Sequence, residues 1–534
     1  MPGQLTRRQA LGAPFLLRSA RAAGRPNIIL ILADDLGFSD LGCYGGEIRT
    51  PNLDSLAARG VRFTQMYNSA RCCPSRASIM TGLYPHQAGV GLMTGDDKLP
   101  GYRGRIVQGA TIPEVLKPAG YTTLMGGKWH LGQPGPVGRG FEEYFGMVHG
   151  FDSFWNPAVY KRLPEGRPAR TYPAGKFYAT DAITDHVLDF LAGARRQKKP
   201  YFLYLAYNAP HFPLHAPKED IDRYAGVYAQ GWDRIREARY RRMREMKLLD
   251  RRWPLTPRSL IPPNRYNKET GWAGKPNPAW DSLDAERRAD LARRMAVYAA
   301  MVDRMDRNIG RVLEDLRRAD ELDNTLIFFL SDNGACAEWD PYGFDGRSGP
   351  ENKLHRGAEL ENMGQPGTYH SYGSAWANTS NTPLRLYKHY AHEGGISTPF
   401  IVHWPAGMKR RGEIDHRPGH ITDLMATCVD AAGASYPKGV PPMEGRSILP
   451  ALRGERPAPR TIFFEHEGNR GVREGKWKLA CLAGGEWELY DEEADRTEMR
   501  DLARAHPEVV RELARKWDEW ALRANVYRNP GEKK

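Results

Sequence analysis

The sequence predicts a layered α/β fold, with a large, mostly parallel sheet sandwiched by helices and a smaller C-terminal antiparallel sheet followed by a terminal helix. Three observations predict it. Short apolar runs recur as far as residue 403, helical patterns lie between them, and the texture changes near Arg460 to short strands and turns. A chain of 534 residues exceeds the usual single-domain size, so a large domain with a smaller appendage is expected.

The apolar runs that read as buried strands are Asn27 to Ala33, Tyr201 to Tyr207, Thr325 to Leu330 and Pro399 to His403. A helix is expected from Thr50-Pro51 through Leu53, Leu56 and Ala57 to a stop at Gly60. A longer one runs from about Ala285 to Arg318, with Leu291, Met295, Tyr298, Val302, Met305, Ile309 and Val312 at helical spacing. Between about 217 and 280 lies an inserted segment at the substrate entrance, whose Arg239–Arg244 cluster reads as the solvated face of a surface helix. After Arg460, Thr461 to Glu465, Lys476 to Leu479 and Trp487 to Tyr490 read as strands. An amphipathic helix carrying Val509, Val510, Leu513, Trp517 and Trp520 follows them. The expected division is thus 24–455 for the main domain and 456–534 for an α+β subdomain.

At the N-terminus, Thr6-Arg7-Arg8-Gln9-Ala10-Leu11 opens a short apolar stretch ending at Phe15-Leu16-Leu17, with Ala20, Ala22 and Ala23 beyond it. Residues 1–23 resemble a twin-arginine export signal, which implies a periplasmic or secreted protein. No stretch has the length of a membrane span, so no stable membrane insertion is expected. The net charge of +13 favours anions, but no nucleic-acid recognition module accompanies it and no nucleic-acid partner is expected. Six cysteines without framework spacing argue against a disulfide-stapled scaffold.

The chemistry sits at strand ends. Asp34-Asp35 follows one buried strand and Asp332-Asn333 follows another. Ligand sites of open α/β sheets lie at such carboxyl ends, and buried carboxylates are costly without a cation. Either pair alone could be a cap or a turn. Together, four oxygen-bearing side chains suit a hard divalent ion such as Ca²⁺ or Mg²⁺. In Cys72-Cys73-Pro74-Ser75-Arg76, Pro74 suits a first helical turn, which sets Cys72 at the positive end of a helix dipole. That position favours an anionic nucleophile and an anionic substrate.

Cys72-x-Pro74-Ser75-Arg76, with Thr81-Gly82 beyond it, resembles the signature of type I sulfatases of the alkaline-phosphatase-like superfamily. The resemblance implies that a maturation enzyme oxidises Cys72 to formylglycine, whose hydrated aldehyde attacks the sulfur of a sulfate ester. It implies one Ca²⁺ held by Asp34, Asp35, Asp332, Asn333 and the modified Cys72. In Gly126-Gly127-Lys128-Trp129-His130-Leu131-Gly132, it makes Lys128 a sulfate ligand and His130 the group that removes a proton from the covalent intermediate. His211, in Asn208-Ala209-Pro210-His211, and Lys388, before His392-Glu393-Gly394-Gly395, would contact sulfate and assist the leaving alcohol or phenol. Arg76 would orient the nucleophile or the carboxylates, and Cys73 fills the variable position. Gly231-Trp232-Asp233, Tyr298 to Asp303 and Ser374 to Asn378 resemble bacterial arylsulfatases, so aryl or alkyl sulfates are expected, with sugar sulfates also open. The competing expectation is a phosphonate monoester or phosphodiester hydrolase of the same superfamily.

Overall fold

A computed structural model describes residues 24–527 except Arg347 and Pro457. The segment 1–23, expected to be an export signal, therefore lies outside the described residues. The main sheet contains β1 (Asn27–Ala33), β2 (Val61–Tyr67), β3 (Thr122–Gly127), β4 (Glu143–Gly146), β5 (Lys161–Leu163), β6 (Tyr201–Ala206), β7 (Thr325–Ser331), β8 (Ser397–His403), β9 (Glu413–Asp415) and β10 (Gly419–His420). Its order is β10-β2-β8-β7-β1-β6-β3-β4-β5, with β9 paired to β2. The strands β7, β1, β6, β3 and β4 are consecutive parallel neighbours, whereas β8 runs antiparallel to both β2 and β7. The expectation of a mostly parallel sheet holds; the exceptions in direction are β8, the apolar run ending at His403, and the edge strand β5.

Alternation along β1 explains why the sheet needs helices on both faces. Ile29, Ile31 and Ala33 enter one core with Ile183, Val187, Met305 and Ile309, from the helices Ala179–Arg196 and Ala285–Arg318. Ile28, Leu30 and Leu32 enter the other with Ile79 and Leu424, from the helices Cys72–Thr81 and Asp423–Ala432. Each fully buried Ile or Leu contributes about 1.5–3 kcal/mol. Both faces are thus fixed, and a one-residue slip of β1 would exchange the two cores.

The basic cluster departs from expectation at one position: Arg241 and Arg244 are exposed as expected, but Arg239 is not. In the helix Gly231–Glu245, Arg239 is fully buried and joins Asp40 Oδ1 at 2.6 Å and Glu47 Oε1 at 2.7 Å. Arg236 is buried as well, donating to Thr256 O at 2.8 Å. The helix is pinned by ion pairs to the loop after β1, a tertiary partnership that a run of arginines cannot reveal.

The second sheet is β11 (Thr461–His466), β12 (Asn469–Glu474), β13 (Trp477–Cys481) and β14 (Glu488–Asp491), all antiparallel neighbours in that order. The helix Pro507–Arg523 lays Leu513, Trp517 and Trp520 over Val472, Leu479 and Leu489. β12 has Val472 as its one large apolar side chain, so its strand state comes from pairing on both edges rather than from pattern. All six cysteines are free and buried.

A buried charge cluster fastens this sheet to the main body. Lys478 Nζ of β13 donates to Glu393 Oε1 at 2.8 Å and to Glu498 Oε1 at 2.7 Å, and Arg496 Nε donates to Glu393 Oε2 at 2.8 Å. Glu393 lies just before β8, so the cluster spans both sheets. Lys478→Met should leave the buried Glu498 without its cation and Glu393 with Arg496 alone, and destabilise the protein by about 3–5 kcal/mol, read as a clear fall in the thermal midpoint. An unchanged midpoint would contradict the fastening role.

Candidate active site

Four adjacent parallel strands, β7, β1, β6 and β3, deliver their carboxyl ends to one place. Pairing holds these ends level: Asp34 N donates to Ala209 O at 3.1 Å, Asp332 N to Ala33 O at 3.1 Å and Lys128 N to Ala206 O at 2.8 Å. Gly127 permits that last approach, because a Cβ there would stand 1.8 Å from Ala206 O. Because β8 runs the other way, the loop leading into it arrives at the same end and brings Lys388, whose N donates to Ala335 O at 3.1 Å. Asp35 and His130 hold φ of 68° and 53°, a conformation that costs a non-glycine residue about 1–3 kcal/mol and is often found at functional sites.

Cys72 opens the ten-residue helix Cys72–Thr81 and is 2% exposed. Its Sγ lies 3.5 Å from His130 Nδ1. The hydrogen bond from Cys73 is the main influence holding the Cys72 thiol well below its usual range; burial opposes it, and Lys128 and His130 add to it. Burial pushes His130 down, with Cys72 opposing. Arg76, one turn on, donates through Nε to Asp332 Oδ2 at 2.9 Å and through Nη1 to Lys128 O at 2.8 Å, and its Nη2 lies 3.6 Å from Asp34 Oδ2.

Around this group the carboxylates gather. Lys128 Nζ donates to Asp34 Oδ2 at 2.6 Å, and Lys388 Nζ lies 2.9 Å from Asp35. His211 Nε2 lies 3.4 Å from Asp35 Oδ2, while its Nδ1 faces Phe212 O at 2.6 Å. Asn333 Nδ2 donates to Asp35 Oδ1 at 2.6 Å. Burial would raise Asp34, but Lys128, His211 and Arg76 outweigh it and hold the carboxyl at about 2. Burial and the Asp34 charge push Asp332 well above the usual carboxylate range, against the pull of Arg76. Burial also pushes His211 down, with Asp35 and Asp34 opposing.

The donor set fits a hard divalent cation. Asp34 Oδ1 and Asn333 Oδ1 are buried oxygens without a hydrogen-bond partner, which suits them to a cation. Asp34, Asp35 and His211 each offer a ligand atom within 4.8 Å of the others. Asp332 stands outside that triad and joins it through Arg76. All the residues singled out from sequence thus meet in one cluster.

Cys72, His130 and His211 open onto a cleft of about 440 Å³. Its other walls went unnoticed in the sequence: Arg71, Phe151, Phe212, Glu338, Trp339 and Glu467. The available signals were Arg71 directly before Cys72, and Glu338 shortly after Asn333 on the same strand exit. Asn264, from the 217–280 stretch, also reaches the cleft.

The Sulfatase family model matches residues 26–434, and that of the N-sulphoglucosamine sulphohydrolase C-terminal region matches residues 385–522. An uncharacterized sulfatase of Schizosaccharomyces pombe is 33% identical, over 92% of this chain and 93% of its own length. An arylsulfatase of Klebsiella aerogenes is 36% identical, over 80% of this chain and 90% of its own. The solved structure of Ps i-CgsB in complex with k-i-k-neocarrahexaose superposes with a TM-score of 0.65 at 26% identity, covering 93% of each chain. The chain therefore belongs to the sulfatase family and is a sulfuric ester hydrolase.

Proposed function

We propose that the protein hydrolyses sulfate monoesters through a formylglycine derived from Cys72, beside one calcium ion held by Asp34, Asp35, Asp332, Asn333 and the modified residue 72. The observation that carries this reading is the position of Cys72: a helix N-terminus, 3.5 Å from His130, in a cluster where three carboxylates meet Arg76, Lys128 and Lys388. The hydrated aldehyde would supply a hydroxyl nucleophile, and the calcium ion would compensate the carboxylates and polarise the sulfate.

With that compensation, Lys128, Lys388 and His211 are left to hold the sulfate oxygens. His130 stands within reach of residue 72 to take its proton. His211, with Nδ1 engaged by Phe212 O, has Nε2 to protonate the bridging oxygen as the S–O bond breaks. One water is consumed overall, and an alcohol or phenol and inorganic sulfate are released. Arg76 orients the cluster by bridging Asp34 and Asp332.

The same reading assigns 24–455 to catalysis and 456–534 to an α+β subdomain, and names the formylglycine-generating enzyme as a transient partner. The substrate is a small-molecule or saccharide sulfate ester. Among the described residues no helix is long and apolar enough to cross a membrane. Export to the periplasm or beyond through Arg7-Arg8 completes the proposal.

Matched 4-nitrophenyl esters test the chemistry. The wild type should hydrolyse the sulfate faster than the phosphate, and Asp332→Ala should lose bound calcium together with at least ~100-fold of kcat, the scale of one lost electrostatic element. Faster phosphate or phosphonate hydrolysis would favour the superfamily's other activity, and unchanged calcium in the variant would remove Asp332 from the metal set. Export is tested by replacing Arg7 and Arg8 together with Lys, which should retain the protein in the cytoplasm. Full export of that variant would contradict the signal.

A further inference from the structure

The cleft holds charges that its sulfate cannot explain. Beside the cationic cluster, two carboxylates, Glu338 and Glu467, line the opening onto Cys72. Burial would raise Glu338, but the hydrogen bond to His389, with Lys388 and Arg71, holds it well below the usual carboxylate range. Glu467 is held low in the same way, by its bond to His389 and by His466. Arg71, Lys388 and His389 offset their charge, and what the pair still offers the ester is acceptor oxygens for hydrogen-bond donors on its other half.

The pair is built rather than incidental. The imidazole of His389 stands between the two carboxylates, with Nδ1 2.9 Å from Glu467 Oε2 and Nε2 3.4 Å from Glu338 Oε1. Arg71 Nη1 donates to Glu338 Oε1 at 3.1 Å, which ties the pair to the residue preceding Cys72. Glu467 comes from the second sheet: it forms, with Gly468, the two-residue turn between β11 and β12, at φ of 52° and 83°. Positive φ at both central residues matches the tight hairpin turn that fits strand twist. The hairpin tip is thereby fixed over the cleft, and Glu467 keeps 42% of its side chain exposed. Trp339, its indole tied to Ser348 Oγ at 3.0 Å, and Phe151, 42% exposed, add apolar faces to the same opening.

We propose that Glu338, Glu467 and His389, with Arg71 and the faces of Trp339 and Phe151, form a leaving-group subsite for a polyhydroxylated ring, so that the physiological substrate is a saccharide sulfate rather than an aryl sulfate. The inference rests on the sulfatase reading above and narrows its substrate class. A pyranose offers vicinal hydroxyl donors to the carboxylates, hydroxyl acceptors to Arg71 and apolar C–H faces to the aromatic rings. An aryl group packs on the rings alone and offers no hydrogen-bond donor to Glu467, whose side chain is 42% exposed to the opening, so it forgoes the bonds a hydroxylated ring makes there.

The test compares methyl galactoside and methyl N-acetylglucosaminide monosulfates, carrying sulfate at each available position, with cyclohexyl sulfate. The comparator keeps the ring size but has no hydroxyl groups. 4-Nitrophenyl sulfate reports whether the sulfatase chemistry itself is present. For the best saccharide ester, the wild-type kcat/KM should exceed that for cyclohexyl sulfate by at least ~100-fold, as expected of a site built to bond substrate hydroxyls. Glu467→Ala and the near-isosteric Glu338→Gln should each lower that ratio by at least ~10-fold. Because Glu467 sits at an exposed hairpin tip, its variant separates recognition from folding. A wild-type ratio near one, or ratios unmoved in both variants, would overturn the subsite while 4-nitrophenyl sulfate turnover left the sulfatase reading standing. Loss of turnover on every ester by the fully modified wild type would overturn both.

Discussion

Asp34, Asp35 and Asp332 are buried together at the ends of neighbouring strands, against Arg76, Lys128 and Lys388. Removing six charges from water is expensive, and only close geometry and further cationic compensation offset it. Most of the architecture serves that requirement. Parallel pairing of β7, β1, β6 and β3 brings the carboxyl ends level, the reversed β8 returns Lys388 to the same end, and the helix from Cys72 aims Arg76 between two carboxylates. The unpartnered oxygens of Asp34 and Asn333 are the acceptors left for such a cation. The cluster makes chemical sense once a divalent cation and an anionic substrate join it.

Much of this was legible in the sequence because it is local. The apolar runs at Asn27 to Ala33 and Thr325 to Leu330 announce buried strands, and the polar pairs directly after both runs point together to a cation, although either alone could cap or turn the chain. Pro74 near the start of a helix fixes the orientation of Cys72. What stayed hidden depends on long-range pairing. β2 carries Arg62, Thr64 and Gln65 and lacks an apolar run, and β12 is a strand because β11 and β13 flank it. Arg239 looked solvated because Asp40 and Glu47 are distant in sequence. Glu338, His389 and Glu467 meet only through the packing of one sheet against the other.

Several contacts tie the second sheet to the catalytic body, among them Arg385 and His392 to Glu488, and two others bear on the site. Lys478 and Arg496 anchor it through Glu393, a few residues from Lys388, and the β11–β12 turn places Glu467 on the cleft wall. The first tie is a matter of stability and the second of recognition. This arrangement gives a route by which a shared catalytic cluster can serve different esters, since the hairpin tip can change without disturbing the buried charges beneath it.

The proposed chemistry turns on the identity of residue 72. The most direct measurement is the mass of the peptide containing Cys72, taken from protein made in its own host and active on sulfate esters. A formylglycine mass, or that of its hydrate, is the predicted result. An unmodified cysteine throughout such active protein would contradict the proposed nucleophile.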